Sequence, residues 1–378
     1  CFLGASLSRA QEPGSGDPPL TTPLVAEPSE TGIVPRLNLY LPEGQADIRL
    51  SRLIKNSLFE TQFEYDFVSG DIGAFLRYKY YGSRQSLSIS GFDRISFRAL
   101  ETISNDFDRV RGFNVLLRRP ITYQRRLSFL TELDRLSFSE QNADNNKTNI
   151  FVKVGYQLGT GDDSRSNQIA GDRNDRIRNL FTVFRDIGMN GRGLSVALTY
   201  GTPAGNFNYV KAEGEAIQIV DFPGNRRLIG RVHAGFFPYK PEGSPDTASD
   251  RKPYLIPGGE LFRLDGREAL KGSKTGLRGV NEIHFTLEAF YPVFINRNAS
   301  FMKLNWNTLY AVGYIGTGSI GDEARIYTRL KDYQQDAGLG FEVAFSYRKY
   351  QVFVSGLVAR VIQDSGSPKF LFTLRSVN

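Results

Sequence analysis

The sequence predicts an all-β protein: a single transmembrane antiparallel β-barrel of reduced size, with twelve or fourteen strands favoured over sixteen. Three observations carry this. Aromatic residues alternate with polar ones over strand-length segments, beginning with Phe63, Tyr65 and Phe67 against Gln62, Glu64 and Asp66. That is the period of a strand with two unlike faces. The 378 residues include 28 Phe, 18 Tyr and 38 Gly, yet the mean hydropathy is only −0.32. This suits a barrel, in which only every other strand residue must be apolar. No run of about eighteen apolar residues exists, so a membrane-spanning helix is excluded and strands are the remaining way across. A soluble β-sandwich also alternates, but it would not need so many aromatic strands in succession.

In chain order, residues 1–10 read as the tail of a secretory signal peptide, with Ser8-Arg9-Ala10 as a small-x-small cleavage site. The alternative is a lipoprotein start at Cys1, which the apolar Phe2-Leu3 disfavours. Residues 11–35 are rich in Pro, Gly, Ser, Thr and Glu without hydrophobic period, and 11–57 are expected to be a disordered tether and periplasmic lead-in. The barrel is then 58–378. Candidate strands fall at 60–68, 71–82, 108–119, 124–138, 148–159, 177–187, 191–202, 205–220 and 225–237. A long loop follows at about 238–276, and then strands at 277–292, 301–314, 336–347, 349–361 and 369–377. Turn residues separate several of them, as at Asp221-Phe222-Pro223-Gly224-Asn225 and Thr202-Pro203-Ala204-Gly205-Asn206. Counting the 60–82 hairpin in the wall gives fourteen strands; leaving it out gives twelve. Either keeps both termini on one side of the membrane.

Composition narrows the chemistry. One cysteine, Cys1, precludes an internal disulfide and a cysteine-based metal site. Only two histidines, His233 and His284, leave little for a zinc site or a histidine-based triad. The net charge of +7 comes without a basic helix or any recognised nucleic-acid module, so no nucleic-acid partner is expected. Asp162-Asp163, Asp172 and Asp175 read as solvated loop acids rather than a calcium site. No phosphate loop or redox-cofactor motif is present; no catalytic residue, metal or cofactor is assigned, and the protein is not read as an enzyme.

The long loop carries the most informative pattern. Pro257-Gly258-Gly259-Glu260-Leu261-Phe262-Arg263 precedes Asn281-Glu282-Ile283 at the start of a strand. Glu282 and Glu288 share one strand face with His284, while Ile283, Phe285 and Leu287 take the other. The acidic face is therefore lumenal and the apolar face meets lipid. This set resembles the sixth extracellular loop and following strand of the BamA/TamA/two-partner-secretion superfamily of outer-membrane barrels (bacterial surface antigen type). The resemblance covers about residues 105–377. In that family a loop arginine, usually in a V-R-G-F/Y motif, folds into the lumen and pairs with wall acids. Here the resemblance implies Gly258, Gly259 and Arg263 as the loop motif and Glu282 and Glu288 as the lumenal acids. Val110-Arg111-Gly112-Phe113 spells the family tetrapeptide but runs straight into a strand, and Arg278 stands too close to Glu282 for a returning loop. Gly313, Gly338 and Gly340 match the glycines of the family's later strands; the usual strand acid is replaced by Ala311.

The first 57 residues leave no room for a POTRA domain of ordinary size and linker, so the chain looks most like a branch lacking those domains. The resemblance implies an integral protein of the bacterial outer membrane, acting in membrane insertion, translocation or lipid handling through a weak first-to-last strand closure. Outer-membrane lipids are the expected surroundings. A homodimer or a separate periplasmic partner would supply contacts to a client protein. The rival readings are a passive porin-like solute channel and, behind it, an outer-membrane hydrolase.

Overall fold

The computed structural model describes residues 34–41, 45–67, 70–82, 85–95, 109–122, 125–137, 147–159, 192–238, 256, 260–264, 269–273, 277–301, 304–347, 350–363 and 367–377. Sixteen strands close into one antiparallel barrel. They are β1 (Val34–Leu41), β2 (Gln45–Ile54), β3 (Ser57–Asp66), β4 (Ile72–Tyr81), β5 (Ser86–Ile95), β6 (Arg109–Thr122), β7 (Arg125–Ser137) and β8 (Lys147–Gly159). After them come β9 (Arg192–Gly201), β10 (Tyr209–Phe222) and β11 (Arg226–Phe236). Two short strands inside the long loop, β12 (Phe262–Arg263) and β13 (Arg278–Gly279), pair only with each other. The wall resumes with β14 (Asn281–Phe301), β15 (Leu304–Gly321), β16 (Gln334–Tyr347), β17 (Tyr350–Val361) and β18 (Lys369–Val377). Each wall strand pairs with the next in sequence, β11 passes to β14, and β1 pairs with β18 to close the ring.

The alternation read from the sequence sets the two faces. On β3, Phe63 and Tyr65 point outward and are 48% and 41% exposed, whereas Gln62, Glu64 and Asp66 are buried inside. Asp47 and Arg49 are buried on β2 while Ile48 and Leu50 are exposed, and Leu194, Val196, Leu198 and Tyr200 are exposed along β9. Exposed apolar rows around a closed ring, with polar groups enclosed, define a transmembrane barrel, because water would not tolerate so continuous an apolar band. Inside, charged and polar groups meet each other: Arg49 donates to Gln62 Oε1 (2.7 Å from Nη2), Arg77 to Glu60 (3.2 Å), and Lys153 pairs with Glu213. A second, apolar part of the interior gathers Ile219, Ile229, Phe290, Val312, Leu357 and Leu371.

The strand count is therefore sixteen rather than twelve or fourteen. Three strands went unread. β1 and β2 lie in what the sequence suggested was tether, so the wall begins at Val34 and not at residue 58. In the sequence, Pro35 and Pro42 interrupt the alternation there. β5 faces the lumen with Ser88 and Ser90, too small to mark a face from sequence. The predicted strand at 177–187, the first 33 residues and the acids at 162–175 lie outside the described residues.

Connections sort by end. At the end bearing both strand termini, β2–β3 and β10–β11 join by tight turns whose Lys55, Gly224 and Asn225 adopt positive φ (51°, 80° and 57°). The β10–β11 turn falls where Pro223-Gly224-Asn225 predicts it. At the opposite end β11 leads into the long loop of 237–280. Among the described residues the wall shifts register at Pro120/Thr122 and Pro292/Phe294, where a residue without an N–H cannot continue the ladder, and also at Ile295/Ala299 and Trp306/Thr308, where no proline stands.

Candidate lumenal anchor site

The loop segment Ala269-Leu270-Lys271-Gly272-Ser273 rests on the inner face of β14 to β18. Leu270 and Ser273 are fully buried and Lys271 is 1% exposed. Lys271 forms an ion pair with Glu288 of β14, and its ammonium also lies 4.2 Å from the centre of the Tyr314 ring on β15. The Gly272 N–H donates to Asp336 Oδ2 on β16 (2.6 Å). The Tyr314 hydroxyl faces both the Ala269 carbonyl (2.9 Å) and Asp336 Oδ1 (3.0 Å), and can give its proton to one at a time. Ser273 Oγ donates to Gln334 (3.1 Å), and Lys369 of β18 donates to the Ser273 carbonyl. A short loop peptide is thus tied to four wall strands by charge and backbone bonds. Gly272 is needed for the approach: a Cβ there would stand 2.7 Å from the backbone of Arg360 on β17.

The loop makes a second contact nearer the rim. Phe262 of β12 packs its ring where a side chain on Gly235 would be, within 2.3 Å of a Cβ built there. It also meets Phe237 edge-on at 5.5 Å between centres, and Lys211 of β10 sits 4.5 Å over its face. Lys211 lies between Glu213 (3.5 Å) and the loop's Glu260 (3.6 Å). Beneath Phe262, His233 and His284 stand directly opposite each other on β11 and β14, rings 5.2 Å apart, with Glu282 against both. Tyr327, in the connection between β15 and β16, donates to the Gly235 carbonyl (2.6 Å). Burial pushes its hydroxyl up to about 12, so it stays a donor at physiological pH.

Glu282 and Glu288 are both lumenal and buried, at 2% and 3% exposure, while Phe285 faces outward. Their ion pairs among the described residues are to His233 and His284 for Glu282, and to Lys271 for Glu288. Arg263 is not brought onto either acid: it is half-buried, its backbone opposite Arg278 in the β12–β13 hairpin. Gly258 and Gly259 lie outside the described residues. The loop cation on the acid is Lys271, and the sequence carried a signal for it. Lys271-Gly272 keeps the basic-Gly pair of the family motif, which Arg263-Leu264 lacks. Arg111 belongs to the wall, its partly exposed guanidinium 3.1 Å from Asp93. Arg278 forms the loop hairpin rather than the edge of β14.

The acid missing at Ala311 is supplied elsewhere. Ala311 faces outward, and Asp336, fully buried on β16, takes the loop bond. Of the three strand glycines, Gly338 and Gly340 have inner faces where a Cβ would strike the β17 backbone, at Val358 O (2.6 Å) and Gly356 O (2.2 Å). Gly313 looks onto open space.

Solved structures of barrel proteins share the fold of this sixteen-stranded transmembrane barrel. BamA from Haemophilus ducreyi, solved without POTRA domains 1–3, superposes with a TM-score of 0.61 at 11% identity, over 91% of this chain and 70% of that one. CdiB from Escherichia coli gives 0.58 at 10% identity over 92% and 63%, and CdiB from Acinetobacter baumannii 0.54 at 11% over 91% and 58%. The chain therefore spans only 58% of the last of these. No family model and no curated protein matches the sequence.

Proposed function

We propose that this chain is an integral barrel of the bacterial outer membrane that inserts or translocates a polypeptide or lipid client by parting its wall between β1 and β18. The observation that carries this reading is the seam. Among the described residues β1 meets β18 from Asn38–Leu41 against Phe372–Arg375, whereas β17 meets β18 along all of Gln351–Ala359 against Lys369–Val377. Strand pairing is additive along the ladder, so among the pairings of the described residues this seam is the weakest. The loop on Lys271 braces β14 to β18 from inside. That keeps one side of the seam rigid while the β1 side is free to swing. In this reading outer-membrane lipids surround the seam, and client contacts come from a periplasmic partner or a second copy.

The test is a crosslink. In a Cys1→Ser background, Leu39→Cys with Leu374→Cys spans the seam, and Val354→Cys with Leu374→Cys spans a continuous part of the wall. In proteoliposomes offered an unfolded outer-membrane barrel as client, oxidation should abolish insertion only in the seam pair. Equal activity of the oxidised seam pair would refute lateral parting. Steady ion conductance through the uncrosslinked protein, with no client inserted, would favour a solute channel.

A further inference from the structure

We propose that His233, His284 and Glu282 form a binding site for a transition-metal dication of the zinc class. The chain has two histidines in 378 residues. They lie on either side of the long loop in sequence, yet the β11–β14 register places them as direct partners on the lumenal face. Cross-strand partners approach to about 4.5–5.5 Å at Cβ, and Glu282 lies two residues from His284 on the same face. All three side chains therefore converge.

The donor geometry fits. His284 Nδ1 is 2.7 Å from Glu282 Oε1 and His233 Nδ1 is 3.3 Å from Oε2. One ligand atom from each residue can be chosen so that all lie within 4.8 Å of one another. An ion with bonds of about 2.0–2.2 Å to nitrogen and carboxylate oxygen sits among such atoms after small side-chain rotations. Among the described residues the enclosed His284 Nε2 has no hydrogen-bond partner, and His233 Nδ1 has no partner besides the Glu282 carboxylate.

The surroundings suit a cation. Glu213 and Glu215 stand on β10 next to this pair, Glu215 directly opposite His233. Arg231 is held on Glu215 (3.0 Å) and Lys211 on Glu213 and Glu260, so neither base is ion-paired to Glu282. Two imidazoles and one carboxylate select zinc-class metals over calcium or magnesium, which take oxygen ligands. Three protein ligands leave one position open on the lumenal side, where His233 is only partly covered. Phe262 of the loop lies over His233, 6.1 Å between ring centres. A bound ion would thus clamp β11 to β14, the two strands from which the loop springs.

The detergent-purified full chain, stripped with chelator, should be titrated with Zn2+ by calorimetry and with Co2+ by visible absorption. One equivalent should bind, with the intense absorption of a four-coordinate cobalt site. His233→Asn, His284→Asn and Glu282→Gln should each weaken binding by roughly a hundredfold, since loss of even an outer-shell partner costs 10–100-fold. Glu323→Gln, in the exposed β15–β16 connection, should leave it unchanged. Folding of each variant is checked by heat-modifiable migration in gels, and any one that folds suffices for the comparison. Absence of stoichiometric binding to the wild-type chain would overturn the proposal, as would affinity unaltered by loss of these ligands.

Discussion

Lys271 has exchanged water for partners that include the Glu288 carboxylate and the Tyr314 ring. An ammonium with 1% exposure needs compensation for its lost hydration, and Glu288 and the Tyr314 face supply it here. Removing one partner leaves the other charge buried alone, at a cost of about 3–5 kcal/mol. Lys271→Ala should therefore release the loop, raising protease cleavage within 237–280 and conductance, and Glu288→Gln should do so in the same direction. Lys271→Arg is no conservative test, because a guanidinium needs a planar fork of acceptors that this seat was not built for. Arg263→Ala leaves the Lys271–Glu288 pair in place and should loosen the loop less. Arg111→Ala, whose side chain is 58% exposed beside Asp93, should change little. Cleavage rates in Arg263→Ala exceeding those in Lys271→Ala would contradict this ranking.

At the scale of elements, β1 and β2 decide whether the wall closes. β1 supplies the partner of β18, and β2 joins it to β3 through a register running from Gln45↔Asp66 to Ile54↔Ser57. Deleting residues 1–33 behind an export signal should leave a folded barrel, since the described wall begins at Val34. Extending the deletion through 54 would expose the open edges of β3 and β18, whose unpaired N–H and C=O groups lipid cannot satisfy. That longer deletion should lose the compact, fast-migrating gel form while the shorter retains it. Equal migration of both would show that β1 and β2 are dispensable to closure. The alternation of Ile48 and Leu50 against Asp47 and Arg49 made β2 readable in principle. The strand holds no aromatic residue and closely follows Pro35 and Pro42, so its ten residues do not stand out from the proline-rich stretch before them.

For the whole molecule, closure predicts a physical signature. Sixteen strands hydrogen-bonded in a ring have no free edge from which detergent can begin to unzip them, except the short β1–β18 seam. The protein should fractionate with the outer membrane and migrate faster in unheated than in boiled samples. The oxidised Leu39→Cys/Leu374→Cys pair should need a higher temperature to convert. Recovery in the soluble periplasmic fraction, with one migration form at all temperatures, would rule out the barrel in the cell.

The sequence by itself determined the class of protein. Period-two alternation is local, so it announces which face of each strand meets lipid whatever its neighbours, and it placed Glu282, His284 and Glu288 on the lumenal face. It also located the long loop, because turn residues and strand ends are written within a few positions. Tertiary structure decided the rest. Whether Arg263 or Lys271 meets a wall acid depends on how far the loop descends, which is set by Gly272 against the β17 backbone and by Phe262 against Gly235. That His233 and His284 become partners depends on the register between β11 and β14 across the whole loop. Those contacts join residues distant along the chain, and only closing the ring fixes the distances between them.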